Sequence, residues 1–348
     1  MGRKNAILSL DIGANFVKAL IAAESNDGGL EILGTGRVGQ KPGAMRASEI
    51  IDFDSVVETC KSAISQAEET ADSKANKVVT GITGELVKSS VSRVHYHRSD
   101  KERIFTEEEL EAIITKIETA NEEKAKKEIA FEIDNPEAEI TLLDSMLVSA
   151  VVDGKRVDDP VGLEGEDVII EYYTSFAPSV FTDTIEKICS ELKLDLVSIS
   201  VEPFAVYRAI LGNEDKDESA VILDIGGDNT NITVLEDGNL RGTETFAIGT
   251  KSLAKDLSIW LSGLKIALNS LPHLMVLPPK IILCGGGAES FELQEYLALG
   301  NWFDDLAFDR RPTVQTLEKA DLPGVEGEFE LSFATAVGLA RIGFESLE

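Results

Sequence analysis

Ala220-Val221-Ile222-Leu223-Asp224-Ile225-Gly226-Gly227-Asp228-Asn229-Thr230-Asn231-Ile232-Thr233-Val234 reads as an apolar strand, an Asp-Ile-Gly turn and a second apolar strand. About two hundred residues earlier, Leu8-Ser9-Leu10-Asp11-Ile12-Gly13-Ala14-Asn15-Phe16-Val17-Lys18-Ala19 has the same layout. Apolar runs bounded by Gly and other turn formers signal a hairpin. Gly at the turn lets backbone N–H groups come close to an anion. An Asp at the strand end can hold Mg²⁺, directly or through water. One Asp-x-Gly is a weak signal, because such neighbours occur in turns of every kind. Its recurrence suggests two similar lobes gripping one polyphosphate from both sides.

A third stretch fits this plan. Lys280-Ile281-Ile282-Leu283-Cys284-Gly285-Gly286-Gly287-Ala288 is a strand running into three glycines, followed by helical character over residues 289–297. Such an opening lets a ligand lie against bare backbone. A lone triple Gly is more often a tight strand-to-helix turn. The fourth stretch, Val201-Glu202-Pro203-Phe204-Ala205-Val206-Tyr207, passes from strand to helix. Pro203 suits the first helical turn, and Glu202 is placed to face the cleft.

The 348 residues suffice for two domains with a large core. No run of eighteen apolar residues suggests a membrane span. Met1-Gly2-Arg3-Lys4-Asn5 leads straight into the first strand, which is read as leaving no signal peptide. Cys60, Cys189 and Cys284 are isolated and odd in number, fitting a reducing cytoplasm rather than disulfide or metal spacing. His95 and His97 alternate on one expected strand without a third ligand nearby in sequence. The formal net charge of −29 opposes binding to nucleic acid or to anionic lipid.

Along the chain, residues 5–84 alternate strands with an amphipathic helix at 53–69, where Val56, Val57, Cys60, Ala63, Ile64 and Ala67 fall at helical spacing. Residues 86–167 change character. A strand at 91–96 leads to an acidic helix at 107–127, with Thr106 as N-cap and Glu109 completing a capping box. Strands at 129–133, 145–152 and 168–173 follow, then a helix at 181–192 and a strand at 196–201. The Asp-Ile-Gly hairpin recurs once, as a duplicated-lobe fold requires.

These stretches, in this order, resemble the actin-like ATPase superfamily, and within it the chain looks most like the FtsA family of bacterial cell-division proteins. Val79-Thr80-Gly81-Ile82-Thr83-Gly84 resembles the close of that family's first subdomain. Asp159-Pro160-Val161-Gly162-Leu163-Glu164-Gly165 resembles its Asn-Pro-(Ile/Val)-Gly-(Leu/Met)-x-Gly, and Ala334-Thr335-Ala336-Val337-Gly338-Leu339-Ala340 its closing helix. The resemblance implies an α/β, two-lobed, duplicated ribonuclease H-like fold. Its expected parts are a first-lobe core over 1–85, an FtsA-type inserted subdomain over 86–167, the rest of the first lobe over 168–218, a shortened second lobe over 219–330 and a closing helix over 331–348. It implies ATP contacts from Asp11, Gly13, Ala14, Asn15, Lys18, Gly226, Gly227, Asn229, Thr230, Gly285, Gly286 and Gly287. It further implies Mg²⁺ at Asp11 and Asp224, and a water-positioning role for Glu202.

The departures matter too. Only residues 251–279 separate Thr250 from the Lys280 strand, too few for the family's fourth subdomain, which covers one side of the adenine. Asp228 stands in the second loop, where a carboxylate beside phosphate is repulsive unless Mg²⁺ intervenes. The loop's usual acidic end is Asn231. The basic amphipathic tail with which FtsA grips membrane is not seen after residue 346. The expected function is therefore a cytoplasmic adaptor or filament former with weak nucleotide binding and at most weak ATPase activity. Its expected partners are an FtsZ-like division protein or copies of itself, with any membrane recruitment coming through a partner. A PilM-like pilus assembly platform and a small-molecule kinase are the alternatives. The second loop is about as close to that of PilM as to that of FtsA.

Overall fold

The computed structural model describes every residue except 1–5, 26–27, 47, 213–217, 254–255, 272–275 and 348. The reading of residues 1–5, and parts of the stretch 251–279, therefore fall outside the described residues. The first lobe opens with strands β1 (Ala6–Ile12), β2 (Phe16–Glu24) and β3 (Leu30–Gly39), the short strands β4 (Met45–Arg46) and β5 (Glu49–Ile50), helix α1 (Phe53–Ala71) and strand β6 (Lys77–Ile82). An inserted unit follows: β7 (Lys88–His97), α2 (Glu107–Glu132), β8 (Ile140–Val152), β9 (Lys155–Val157) and β10 (Asp167–Pro178). Helix α3 (Ser179–Leu192), strand β11 (Asp195–Val201) and helix α4 (Glu202–Leu211) return the chain to the first lobe. The second lobe holds β12 (Ala220–Ile225), β13 (Thr230–Glu236), β14 (Asn239–Phe246), α5 (Thr250–Leu253), α6 (Leu257–Ser270), β15 (Lys280–Cys284), α7 (Phe291–Leu299) and β16 (Thr313–Thr316). Strand β17 (Val325–Glu326) and helix α8 (Ala334–Glu345) end the described chain.

The two main sheets are built alike. Their orders are β11-β6-β1-β2-β3-β17 and β16-β15-β12-β13-β14. In each, the hairpin pair is antiparallel and a later strand lies parallel beside the first: β6 beside β1, and β15 beside β12. Both β1 and β12 are buried almost throughout, which is why they read as continuous apolar runs. Helix α1 starts where Asp52 accepts the Ser55 N–H at 3.1 Å, and buries Val56, Cys60, Ala63, Ile64 and Ala67. This is the duplicated two-lobed fold that the sequence led us to expect.

Helices α4 and α8 join the lobes. Phe204, Ala205, Ala209, Ala336, Val337, Leu339 and Ala340 share one buried core with residues of both sheets. The helices approach so closely that a Cβ on Gly338 would lie 1.7 Å from the Ala205 carbonyl oxygen.

The inserted unit is a four-stranded sheet, order β7-β10-β8-β9, with α2 across it. Phe105, Ile113, Ile117, Val168, Ile170 and Tyr172 form its core. Three expectations change here. Residues 129–133 belong to the end of α2 and not to a strand, because Ile113, Ile117, Ala125 and Ile129 keep helical spacing and all turn inward. The sheet also runs through β10 to Pro178, beyond the expected boundary at 167. Thr106 caps α2, accepting the Glu109 N–H, but the Glu109 carboxylate grips the Arg98 guanidinium through both oxygens instead of reaching back to close a capping box. The Asp159–Gly165 stretch is the turn that locks this corner. Gly162 donates to the Phe105 carbonyl, Phe105 to that of Leu163, and Arg98 to that of Gly165. Strand β9 pairs with β8 over Ala150–Val152.

Gly338→Ala should destabilise the protein by about 2–3 kcal/mol, since backbone faces the new methyl and the two helices must separate. Urea unfolding checks this. A loss below about 0.5 kcal/mol would mean that the helices part without cost.

Candidate functional site

The two hairpins turn in the same way. Gly13 N–H donates to the Phe16 carbonyl at 3.1 Å, and Gly226 N–H to the Asn229 carbonyl at 2.9 Å. Asp11 and Asp224 stand at equivalent places near the ends of β1 and β12. Both line one cavity of about 210 Å³ between the lobes, and Glu202, the first residue of α4, faces it with them.

Charge is concentrated there. Lys18 lies opposite Asp11 across the β1–β2 ladder and donates to its carboxylate at 3.0 Å. Asp224 accepts from Thr335 Oγ1 of α8 at 3.1 Å. Glu202 accepts from Asn231 Nδ2 at 3.0 Å. Burial, then the charges of Asp11 and Asp224, push the Glu202 carboxyl well above the usual range. Burial likewise raises Asp224, with Lys18 opposing. Burial alone would lower the Lys18 pKa, but Asp11, Asp224 and Glu202 together hold it above its usual value. One ammonium thus serves three carboxyl groups.

Most of the expected site residues are brought together. Asp11, Gly13, Ala14, Asn15, Lys18, Glu202, Asp224, Gly226, Gly227, Asn229, Gly285 and Gly286 all line the cavity. Two expected contacts do not. Thr230 is buried behind the wall, donating to the Ile248 carbonyl and accepting from the Trp260 indole. Gly287 is packed on Ile225, where a Cβ would meet the Ile225 side chain at 2.3 Å. Both face the second-lobe core because the residues beside them already turn toward the cleft. Gly285 has φ +75, and a Cβ there would strike Asp224 Oδ1 at 2.2 Å, so this turn accepts only glycine.

Several lining residues escaped the sequence reading. Asn231 joins the lobes: besides its bond to Glu202, its Oδ1 accepts from Thr83 and Thr245. A carboxylate there would face Glu202 directly, whereas the amide donates to it. Lys251 pairs with Asp228 at 2.9 Å, so the loop carboxylate that counted against phosphate has a counter-charge. Lys251 also reaches the Ala14 carbonyl at 3.4 Å, and Asn15 Nδ2 donates to Thr250 at 3.2 Å, so the hairpin tips touch across the cleft. Arg37 lines the outer wall, stacked over Phe16 at 4.0 Å. The only signal for these residues was proximity to a motif, because their partners are remote in sequence.

The residues suit a hydrated Mg²⁺ and a polyphosphate better than a naked ion. Hard carboxylate oxygens are what Mg²⁺ prefers, and it commonly keeps several waters beside one or two carboxylates. Among the described residues no three His, Cys, Asp or Glu side chains form a direct ligating group. Asn229 Oδ1 is buried in the wall without a hydrogen-bond partner, an acceptor left for a ligand or water. The cavity of about 210 Å³ is smaller than the usual 300–1,000 Å³ of small-molecule sites.

Comparison with known proteins places this arrangement. No protein-family model matches the chain. It is 27% identical over 268 residues to the cell-division protein FtsA of Neisseria meningitidis, covering 77% of this chain and 60% of that protein. With FtsA of Bacillus subtilis it shares 23% identity over 262 residues, covering 75% and 56%. The chain thus spans between half and three fifths of these curated relatives. Among solved structures, the PilM–PilN type IV pilus biogenesis complex matches at TM-score 0.65 and 18% identity, over 97% of this chain and 98% of that one. The ethanolamine utilization protein EutJ of Carboxydothermus hydrogenoformans matches at TM-score 0.50 and 12% identity, over 97% and 90%. The chain is an actin-fold protein. More narrowly, it is an FtsA-like one.

Lys18→Met should destabilise the protein by about 3 kcal/mol at pH 8, since it strands buried carboxylates. Without the ammonium, which opposes it, the upward shift of Asp224 and Glu202 in the folded state grows. The folded state then holds more protons than the unfolded one, and stability falls as pH rises. The loss should accordingly shrink at pH 5. Urea unfolding at the two pH values measures it, and an equal loss at both would reject this charge balance.

Proposed function

We propose that the chain is an FtsA-like adaptor of bacterial cell division, binding Mg-nucleotide weakly as a conformational ligand and working chiefly through partner proteins or copies of itself. One observation carries this reading. Among the described residues only α5 and α6 stand between β14 and β15, so the cleft keeps its phosphate-side hairpins and carboxylates while its base side is reduced. The inserted unit, by contrast, has a complete sheet, helix and core. A protein with a reduced ligand clamp and an intact inserted unit is best understood through its surfaces. In this reading Asp11 and Asp224 hold Mg²⁺ through water. Lys18 and the hairpin N–H groups meet phosphate, Gly285 and Gly286 form the base-side wall, and Glu202 orders a water. Bound Mg²⁺ would neutralise phosphate charge. The site lies within the cell, and any membrane recruitment comes through a partner. Among the described residues, no helix is long and apolar enough to cross a membrane.

A pilus-platform role is the second reading, and a groove favours it. A cavity of about 330 Å³ beside Glu202 is lined by Ile12, Met45, Ile50, Ile82, Val180 and Phe181. Its apolar walls suit side chains of a partner peptide. The PilM neighbour is known in complex with PilN, and a PilN-like segment is the corresponding partner here.

Calorimetry with Mg-ATP should give affinity no tighter than about 1 μM, with turnover below about one per second. Asp11→Ala should abolish binding or its Mg²⁺ requirement. Tighter binding or faster turnover would overturn the weak-ligand reading. Pull-downs against the tubulin-like division protein FtsZ and against pilus inner-membrane peptides separate the two roles.

A further inference from the structure

Asp144 lies on β8 of the inserted unit, 6% exposed, far in sequence from every residue of the cleft. Its carboxylate accepts the Val201 N–H at 2.9 Å and the Ser175 hydroxyl at 2.9 Å. Ser175 closes the pair by accepting the Asp144 N–H at 3.0 Å, beside a bulge in the β8–β10 ladder, and so fixes the carboxylate's direction. Burial pushes the carboxyl up to about 6, held back by the bonds from Val201, Ser200 and Ser175. These partners are all neutral. A buried carboxylate held by neutral groups is costly, which makes its placement informative.

That placement is specific. Val201 ends β11, whose only strand neighbour in the sheet is β6, so its N–H points off the sheet edge toward the inserted unit. The next residue is Glu202, which opens α4 and enters the cleft. A carboxylate at a helix N-terminus also complements the helix dipole. The same unit reaches the other lobe. Tyr173 Oη lies 3.3 Å from Thr243 Oγ1, and Glu171 accepts from Arg241 at 2.8 Å, both on β14. The inserted unit therefore straddles the lobes, gripping one at the root of Glu202.

We propose that Asp144 is the positioning residue through which the inserted unit sets the place of Glu202, linking whatever binds that unit to the state of the cleft. The consequence for nucleotide rests on the function proposed above; the mechanical link does not. The chain from β8 runs through Val201 to Glu202, then through Asn231 to Thr83 and Thr245. A shift of the inserted sheet moves the Val201 amide, and with it the first turn of α4.

Hydrogen exchange on the full chain without nucleotide tests the link. In Asp144→Ala, amides at 200–205 should exchange about tenfold faster, the scale of one lost charge-assisted hydrogen bond. Amides at 229–233, which Asp144 does not touch, should follow through the Glu202–Asn231 bond. Asp144→Asn keeps an acceptor for Val201 and should restore both segments. Val201→Pro removes the donor at φ −78, where proline fits, and keeps an apolar group at this buried core position; it should reproduce the alanine result if that variant fails to fold. Protection at 229–233 unchanged in a folded variant that has lost it at 200–205 would overturn the proposal, as would unchanged protection at both. Mg-ATP calorimetry on the same variants should show affinity falling with the exchange change. If the unsubstituted chain binds no nucleotide, the function proposed above fails while the exchange arm still decides this one.

Discussion

Three carboxyl groups around a single ammonium is the condition that the rest of the molecule is arranged to tolerate. Asp11 and Asp224 arrive because one hairpin was used twice, and Glu202 because α4 starts at the lobe junction. Left alone they would repel each other and open the cleft. Lys18 neutralises Asp11 directly, while Thr335 and Asn231 donate to the other two. Each donor comes from a different element: Lys18 from β2, Asn231 from β13, Thr335 from α8. Lys18 acts within its own hairpin, whereas the Asn231–Glu202 and Thr335–Asp224 bonds run between the lobes and so also hold them in register. A ligand bringing its own cation would compete with Lys18 for Asp11 and loosen that set.

Much of this was legible in the sequence, for a physical reason. Duplicated hairpins, central apolar strands and capped helices are local patterns, and local patterns survive in one dimension. Asp11, Asp224, Glu202 and Gly285 could be placed because each sits at the end of a strand whose period was clear. Thr230 and Gly287 were misplaced because strand periodicity marks an element, while the face a terminal residue takes depends on what packs behind it. Here that is Trp260 for Thr230 and Ile225 for Gly287. The strand expected at 129–133 failed differently. Its apolar run is short, and only the inward sequence Ile113, Ile117, Ala125 and Ile129 shows that the helix continues. Asn231 was noticed only as a departure at the end of the loop, and the roles of Lys251 and Asp144 were not legible at all, since their partners are remote in sequence or on another unit.

The second loop shows how a negative sign in a motif can mislead. Asp228 beside a phosphate site reads as repulsion, yet Lys251 stands 2.9 Å away at the start of α5. The turn after β14 puts Thr250 and Lys251 directly over the loop, with Thr250 N–H donating to the Gly226 carbonyl and Lys251 N–H to that of Gly227. That turn brings a cation to the loop and lets the first hairpin tip meet the second lobe, around a cavity smaller than most ligand sites.

This shifts attention to what can move. Within each lobe the sheet and its helices are joined by continuous apolar cores, and α4 and α8 cross too tightly to slide. The inserted unit has its own small core, and its joint with the lobes is of two kinds. Tyr173 stacks on Phe204, and Val91, Met146 and Val148 pack against the core that the lobes share. Asp144 on one side and Glu171 and Tyr173 on the other add polar bonds. Apolar interfaces resist partial displacement because area is lost all along them. A few directional hydrogen bonds can break and re-form in a second arrangement, so the polar bonds are the part of this joint that can be exchanged one at a time. A surface that binds partners through that unit would pull on that joint first, and on Glu202 next.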